Sequence, residues 1–187
     1  MARKHGSFDS VHDAILSTAA DLFTNVGVHA ASLNDIAAAA RLSKGTLYYY
    51  YPQKEQLVSD VARMSISADT DTIFTWVDSL SRDEELTSAL YRLMDLLTAD
   101  LRRMRLHTVL IVEAACGNAE LSELFRSAYR EWTVMLEVGA LKLKSQNSRL
   151  VHTRAQLFFA CLDGYMLQHP AALTTIEKDE ILNHLFG

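Results

Sequence analysis

The segment Ser32-Leu33-Asn34-Asp35-Ile36-Ala37-Ala38-Ala39-Ala40-Arg41-Leu42-Ser43-Lys44-Gly45-Thr46-Leu47-Tyr48-Tyr49-Tyr50-Tyr51-Pro52 decides the fold. Ser32 followed three residues later by Asp35 is a capping box, in which each residue satisfies an orphan amide of the other. It predicts a helix start at Leu33, continued by an alanine-rich run. Ser43 is a second cap, so the first helix must end near Arg41-Leu42 and another must begin at Lys44. Pro52 cannot continue that second helix and closes it. Two short helices thus meet across a turn of about three residues, the spacing of a helix-turn-helix.

Upstream, Val11, Ile15, Ala19, Leu22 and Phe23 recur at helical spacing and predict a first helix. Ser10 and Asp13 are its expected capping pair, and Gly27 its stop. Residues 10–51 therefore read as helix, loop, helix, turn, helix. Such an arrangement lets the third helix protrude while the first two brace it.

That third helix carries four consecutive tyrosines. A helix cannot turn four neighbours inward. Leu47 and Tyr51, four apart, are expected to face the core, leaving Lys44, Tyr48, Tyr49 and Tyr50 outward. Lysine and a helix N-terminus favour phosphate. Gly45 lets a backbone approach closely, and tyrosine can donate to phosphate or press on sugars and thymine methyls. Lys54, just beyond, is placed to hold a flanking phosphate. The segment is expected to meet DNA.

Downstream the pattern stays helical: from Lys54 into the seventies, then about 83–103, 105–116, 119–146, 149–168 and 176–185. Gly117-Asn118, Asn147-Ser148 and His169-Pro170 mark breaks. No strand-like alternation is present. The fold class is all-α: a three-helix head over residues 1–53, and a larger helical body over residues 54–187.

Composition agrees. The chain has 187 residues, 49% of them hydrophobic, enough for a real core. Two prolines and seven glycines leave room for long helices. Net charge is −5, but residues 1–54 carry five basic against four acidic side chains, while the rest carries 13 against 19. A polyanion partner is admissible at the N-terminal end and disfavoured elsewhere. Cys116 and Cys161 have no disulfide or zinc spacing and read as buried thiols in a reducing compartment. No signal-like or membrane-length apolar run is seen, so a cytoplasmic location is expected.

The quoted segment, with Ile15-Leu16, Ala19-Ala20, Leu22-Phe23, Gly27 and Lys54-Glu55…Leu57, resembles the TetR family of bacterial regulators. The resemblance covers about residues 10–60. It implies a homodimer whose third helices enter the major groove of a palindromic, double-stranded operator, released by a small molecule bound in the body. It implies DNA contacts at Ser32, Leu33, Ser43, Lys44, Gly45, Thr46, Tyr48, Tyr49, Tyr50 and Lys54. Three residues depart from the family habit. Tyr50 stands where histidine is frequent, Tyr51 where phenylalanine is usual, and Arg41 where glycine is common in the turn. The Tyr51 hydroxyl then needs a partner, and Arg41 must bear a left-handed backbone if that conformation is kept.

In the body, aromatic and polar side chains recur within apolar runs. Phe74, Tyr91, Met94, His107, Glu113, Phe125, Tyr129, Trp132 and Asp163 are the candidates for lining an effector cavity. The apolar stretch Leu157–Leu167, with Ile181, Leu182 and Leu185, is expected to pack on a second copy. No metal or cofactor is expected. An enzyme is disfavoured, since nucleotide-binding, nucleophile-elbow and metalloprotease motifs are missing. A His107/Glu113 acid–base pair is the residual catalytic possibility. The other competing reading is a regulator whose body binds a protein partner.

Overall fold

The computed structural model describes residues 4–143 and 151–186. The elements are α1 (Lys4–Val26), α2 (Leu33–Ala39), α3 (Lys44–Tyr50), α4 (Lys54–Ser79), α5 (Leu86–Thr98), α6 (Leu101–Ala115), α7 (Ala119–Lys142), α8 (Val151–Gln168), a 3-10 turn (His169–Ala171) and α9 (Lys178–Phe186). No strand occurs among the described residues. The fold is all-α, an N-terminal helix-turn-helix followed by a larger helical body. The expected end of the long helix at Gln146, the turn at Asn147-Ser148 and the start at Arg149 lie outside the described residues.

Local chemistry sets the boundaries. The Ser32–Asp35 capping box is formed in both directions. Ser43 caps α3, its Oγ accepting from the Thr46 amide at 3.0 Å. Two expectations fail. Helix α1 begins at Lys4, so Ser10 lies inside it rather than at its start. The expected helix over 83–103 is broken at Asp100, whose side chain accepts from the Arg102 amide at 2.8 Å and starts α6. A single aspartate within a leucine-rich period was the only sign of that break.

Arg41 does adopt the left-handed conformation, with φ 57°. The Arg41 amide donates to Ala38 O and the Leu42 amide to Ala37 O, at 3.1 and 2.9 Å, which closes α2 and aims the chain into α3. An L-residue held there costs about 1–2 kcal/mol. Arg41→Gly should therefore raise stability by about 1 kcal/mol, the added freedom of the unfolded chain taking back part of the gain. In a thermal melt this is a rise of roughly 2–4 °C; a fall would show that the arginine side chain supplies a compensating contact.

Two apolar clusters hold the molecule. The first joins Ile15, Ala19 and Phe23 of α1, Ile36 of α2, Leu47 of α3 and Leu57 and Val61 of α4. It also takes in Leu106 and Leu110 of α6 and Leu121 and Phe125 of α7. The second lies in the body, around Trp76, Leu93, Met94, Trp132 and Phe158. Helix α4 runs through both and packs most extensively on α7. Gly139 permits that approach, because a Cβ there would stand 3.0 Å from the Trp76 ring and from Leu80.

The cysteines are free, but Cys116 is exposed and Cys161 only partly covered, contrary to the expected burial. Cys116 caps the end of α6, in the turn made by Gly117 at φ 114°.

Candidate nucleic-acid interface and adjoining cavity

Helix α3 is one side core and the other side open. Leu47 is fully buried and Tyr51 nearly so. The Tyr51 hydroxyl finds two partners, His12 Nε2 of α1 at 2.8 Å and Asp60 Oδ2 of α4 at 3.1 Å. Burial and the adjacent Asp60 carboxylate keep that phenol protonated by raising its pKa. The departure from phenylalanine is thus absorbed as a clasp across three helices.

On the open side, Lys44 and Gly45 are exposed, Tyr49 is 76% exposed and Tyr48 43%. Tyr50 is half-buried, tilted against His12 and edge-on to Tyr49. Other residues carried over from the resemblance are committed elsewhere. The Ser32 hydroxyl is bound to Asp35 at 2.5 Å. Ser43 and Thr46 share a hydrogen bond at 2.7 Å. Leu33 belongs to the core. Lys54 turns inward, its Nζ donating to His29 O at 3.2 Å and Ala31 O at 2.9 Å. It fastens the loop ahead of α2, a role that sequence could not separate from phosphate holding. The outward set on α3 is Lys44, Gly45, Tyr48 and Tyr49, with Tyr50 at its edge.

In the body, a cavity of about 710 Å³ opens between α6, α7 and α8. Phe125, Tyr129 and Asp163, expected from sequence, line it. His107 and Trp132 instead border a small void behind it. Phe74, Tyr91, Met94 and Glu113 are not among its lining residues. Phe74 is 64% exposed and Tyr91 41%, on outer faces of α4 and α5, while Met94 is body core. Glu113 faces the head, 3.2 Å from His29 Nε2. His107 and Glu113 are therefore not brought together as an acid–base pair. Periodicity assigns a residue to a face of its helix but not to the neighbour that face meets. Sequence reasoning missed Ser122, Arg130, Gln156 and Phe159 in the lining; nothing in their spacing set them apart from ordinary helix surface or core.

Behind the cavity, His107 bridges two carboxylates: Nδ1 to Asp69 Oδ2 at 3.4 Å, Nε2 to Asp163 Oδ1 at 3.2 Å. Burial alone would lower the imidazole pKa. Hydrogen bonds to Asp163 and Asp69, with their charges, outweigh it and raise the pKa to about 9. The Tyr129 hydroxyl donates to Asp163 at 2.7 Å. Arg103 Nε donates to Asp69 at 2.6 Å.

Helix α6 ties this network to the head. Arg102, near its start, pairs with Asp21 of α1 at 2.5 Å and donates to Ser17 O at 3.2 Å. Near its end, Glu113 meets His29. Phe125 belongs to the head's apolar cluster and also lines the cavity.

Residues 15–61 match the family described as bacterial regulatory proteins, tetR family. Over these residues the chain is similar to the TetR family. Among curated TetR-like relatives, the transcriptional repressor KstR2 of Mycolicibacterium smegmatis is 39% identical over 54 residues, covering 29% of this chain and 26% of that protein. The transcriptional regulator RutR of Escherichia coli is 48% identical over 50 residues, covering 27% of this chain and 24% of its own. The matched segment thus spans about a quarter of each relative. The TetR-like fold extends further. A protein from Saccharomonospora viridis, solved in complex with choline, superposes with a TM-score of 0.76 at 19% identity, over 95% of this chain and 94% of that one. No helix among the described residues is long and apolar enough to cross a membrane.

Proposed function

We propose that this chain is a transcription regulator, a repressor that binds a palindromic operator as a homodimer and leaves it when a small molecule enters the body. The outward face of α3 carries the reading. A lysine, a glycine and two open tyrosines stand on a short helix that Leu47 and the Tyr51 clasp hold rigid. Lys44 supplies phosphate attraction, Gly45 close approach, and Tyr48 and Tyr49 contacts to phosphate, sugar and base methyls. Residues 1–53 act as the reading head and 54–187 as the sensing and dimerising body.

The dimer surface is the uncovered side of α8. Leu157 and Leu167 are exposed there, with Ala160 and Gly164 between them, so a second helix can come close. Of the last-helix residues expected to join it, Leu182 is buried within its own subunit and only Leu185 is open. The cavity supports a small molecule over a protein partner as the occupant, since about 710 Å³ is within the usual range for such sites. The Saccharomonospora relative holds choline, so the fold admits a small ligand. Phe125, shared by cavity wall and head core, offers the direct route by which an occupant alters the head. The angle of α4 then sets the spacing of the two recognition helices, expected near 34–36 Å or a multiple of it.

The test is fluorescence anisotropy on DNA fragments from upstream of the protein's own gene, over a salt series, with protein refolded from denaturant to remove any retained ligand. One fragment should bind tightly and selectively, more weakly as salt rises. Lys44→Ala should weaken binding to all sequences and reduce the salt slope by about one per protomer. Refolded protein that binds none of these fragments would sink the reading.

A further inference from the structure

Polar groups are distributed unevenly in the cavity. Tyr129, Phe159 and Asp163 line both the cavity and the void of about 10 Å³ behind it, so they form the wall between cavity and core. Phe125 stands beside Tyr129, ring centroids 6.4 Å apart, and Phe159 meets Tyr129 edge-on at 5.7 Å. This inner wall is aromatic, and Asp163 is the one acidic residue among the described residues lining the cavity.

Asp163 ends a chain of alternating charge. Arg103 holds Asp69, Asp69 holds His107, and His107 holds Asp163. The inner members have opposite charges on both sides, while Asp163 has one on the core side only. A carboxylate offers about four acceptor sites. Asp163 receives donors from Tyr129 and His107, and its side chain remains 27% exposed. At the rim, Arg126 is paired with Glu123 and His152 with Glu137. Arg130, also lining the cavity, is exposed and has no such carboxylate pair among the described residues. Arg130 is exposed, so solvent and salt screen its charge, whereas Asp163 stands on the partly buried inner wall.

Taking the cavity as the effector site, we infer that the effector is an apolar molecule with a cationic ammonium head, seated against Asp163 among the rings of Phe125, Tyr129 and Phe159. Ring faces and a partly buried carboxylate both favour such a head. They disfavour an acid.

Three probes of equal tail length test this: decyltrimethylammonium, decanol and decanoate. Binding is read by calorimetry and by quenching of Trp132, whose ring lies 5.1 Å from Tyr129. The ammonium should bind at least about tenfold tighter than decanol, and decanoate weakest. Asp163→Asn should remove most of the ammonium's advantage and leave decanol within about threefold. The ranking on the unaltered protein stands by itself should that variant fail to fold. Decanoate binding tightest, equal binding of all three, or binding of none would overturn the assignment. Operator release, measured in parallel, separates the two readings. Another small molecule freeing the DNA while these three fail sinks only the ligand class. Ammonium binding that leaves operator affinity unchanged sinks only the release step.

Discussion

Gly45→Leu will leave the protein folded and lower its operator affinity by about a hundredfold or more. A Cβ at Gly45 would meet nothing closer than Ser43 Oγ at 3.8 Å, so the space beside it is open. Leucine also improves on glycine within a helix by roughly 0.8 kcal/mol, so the melting temperature should hold or rise. On the proposed reading, that open space is where the duplex backbone comes. A leucine there adds bulk that displaces the helix and its neighbours Lys44 and Tyr48. Each displaced contact set is worth about 1–3 kcal/mol, and a dimer places two such side chains on one operator. Circular dichroism and anisotropy on the same sample check both halves. Full affinity in a folded Gly45→Leu protein would mean that α3 does not approach DNA by this face.

His107→Ala should cost about 3–5 kcal/mol, the usual penalty for breaking a buried charge network by removing one partner. The imidazole is 3% exposed, and its loss leaves Asp69 and Asp163 facing each other across a gap. Its contacts with Phe125, edge-on at 5.6 Å, and with Trp132 go as well. For a chain of this size the melting temperature should fall by roughly 10 °C or more. The pH dependence has a definite sign. The folded-state pKa is raised from 6.5 to about 9. The stabilisation is therefore complete below about pH 6.5 and is lost as pH climbs through about 9. Unaltered protein should lose stability across that window and the alanine variant should not lose this share. Melting within about 2 °C of the unaltered protein, or an unchanged pH slope, would show that the network contributes little.

The head was legible because its signals are local. Ser32 with Asp35, Ser43 with Thr46, and Arg41 in the turn each act within three or four residues, so sequence spacing places them in space directly. The inward turn of Leu47 and Tyr51 follows from helical period. The inward hydrogen bonds of Lys54 were not legible, because its partners, the carbonyls of His29 and Ala31, lie some two dozen residues away. In the body almost everything depends on such distant meetings. His107, Asp163 and Tyr129 could be suspected as polar residues in apolar surroundings. That Asp69 completes their network depends on how α4 crosses α6, which no window of sequence contains. The places of Phe74 and Glu113, away from this cavity, were illegible for the same reason: an amphipathic pattern tells how a helix is divided, not what stands opposite.

The apolar cluster of the head includes Leu106, Leu110, Leu121 and Phe125 from α6 and α7. A fragment ending near residue 53 would be cut through its own interior, with Ile15, Phe23 and Leu47 losing part of their cover. The head is consequently a poor candidate for transplantation onto a foreign sensor. Chimeras joined at that point should aggregate unless the ends of α6 and α7 travel too. Retargeting to a new operator is better pursued by editing Lys44, Tyr48 and Tyr49 in place.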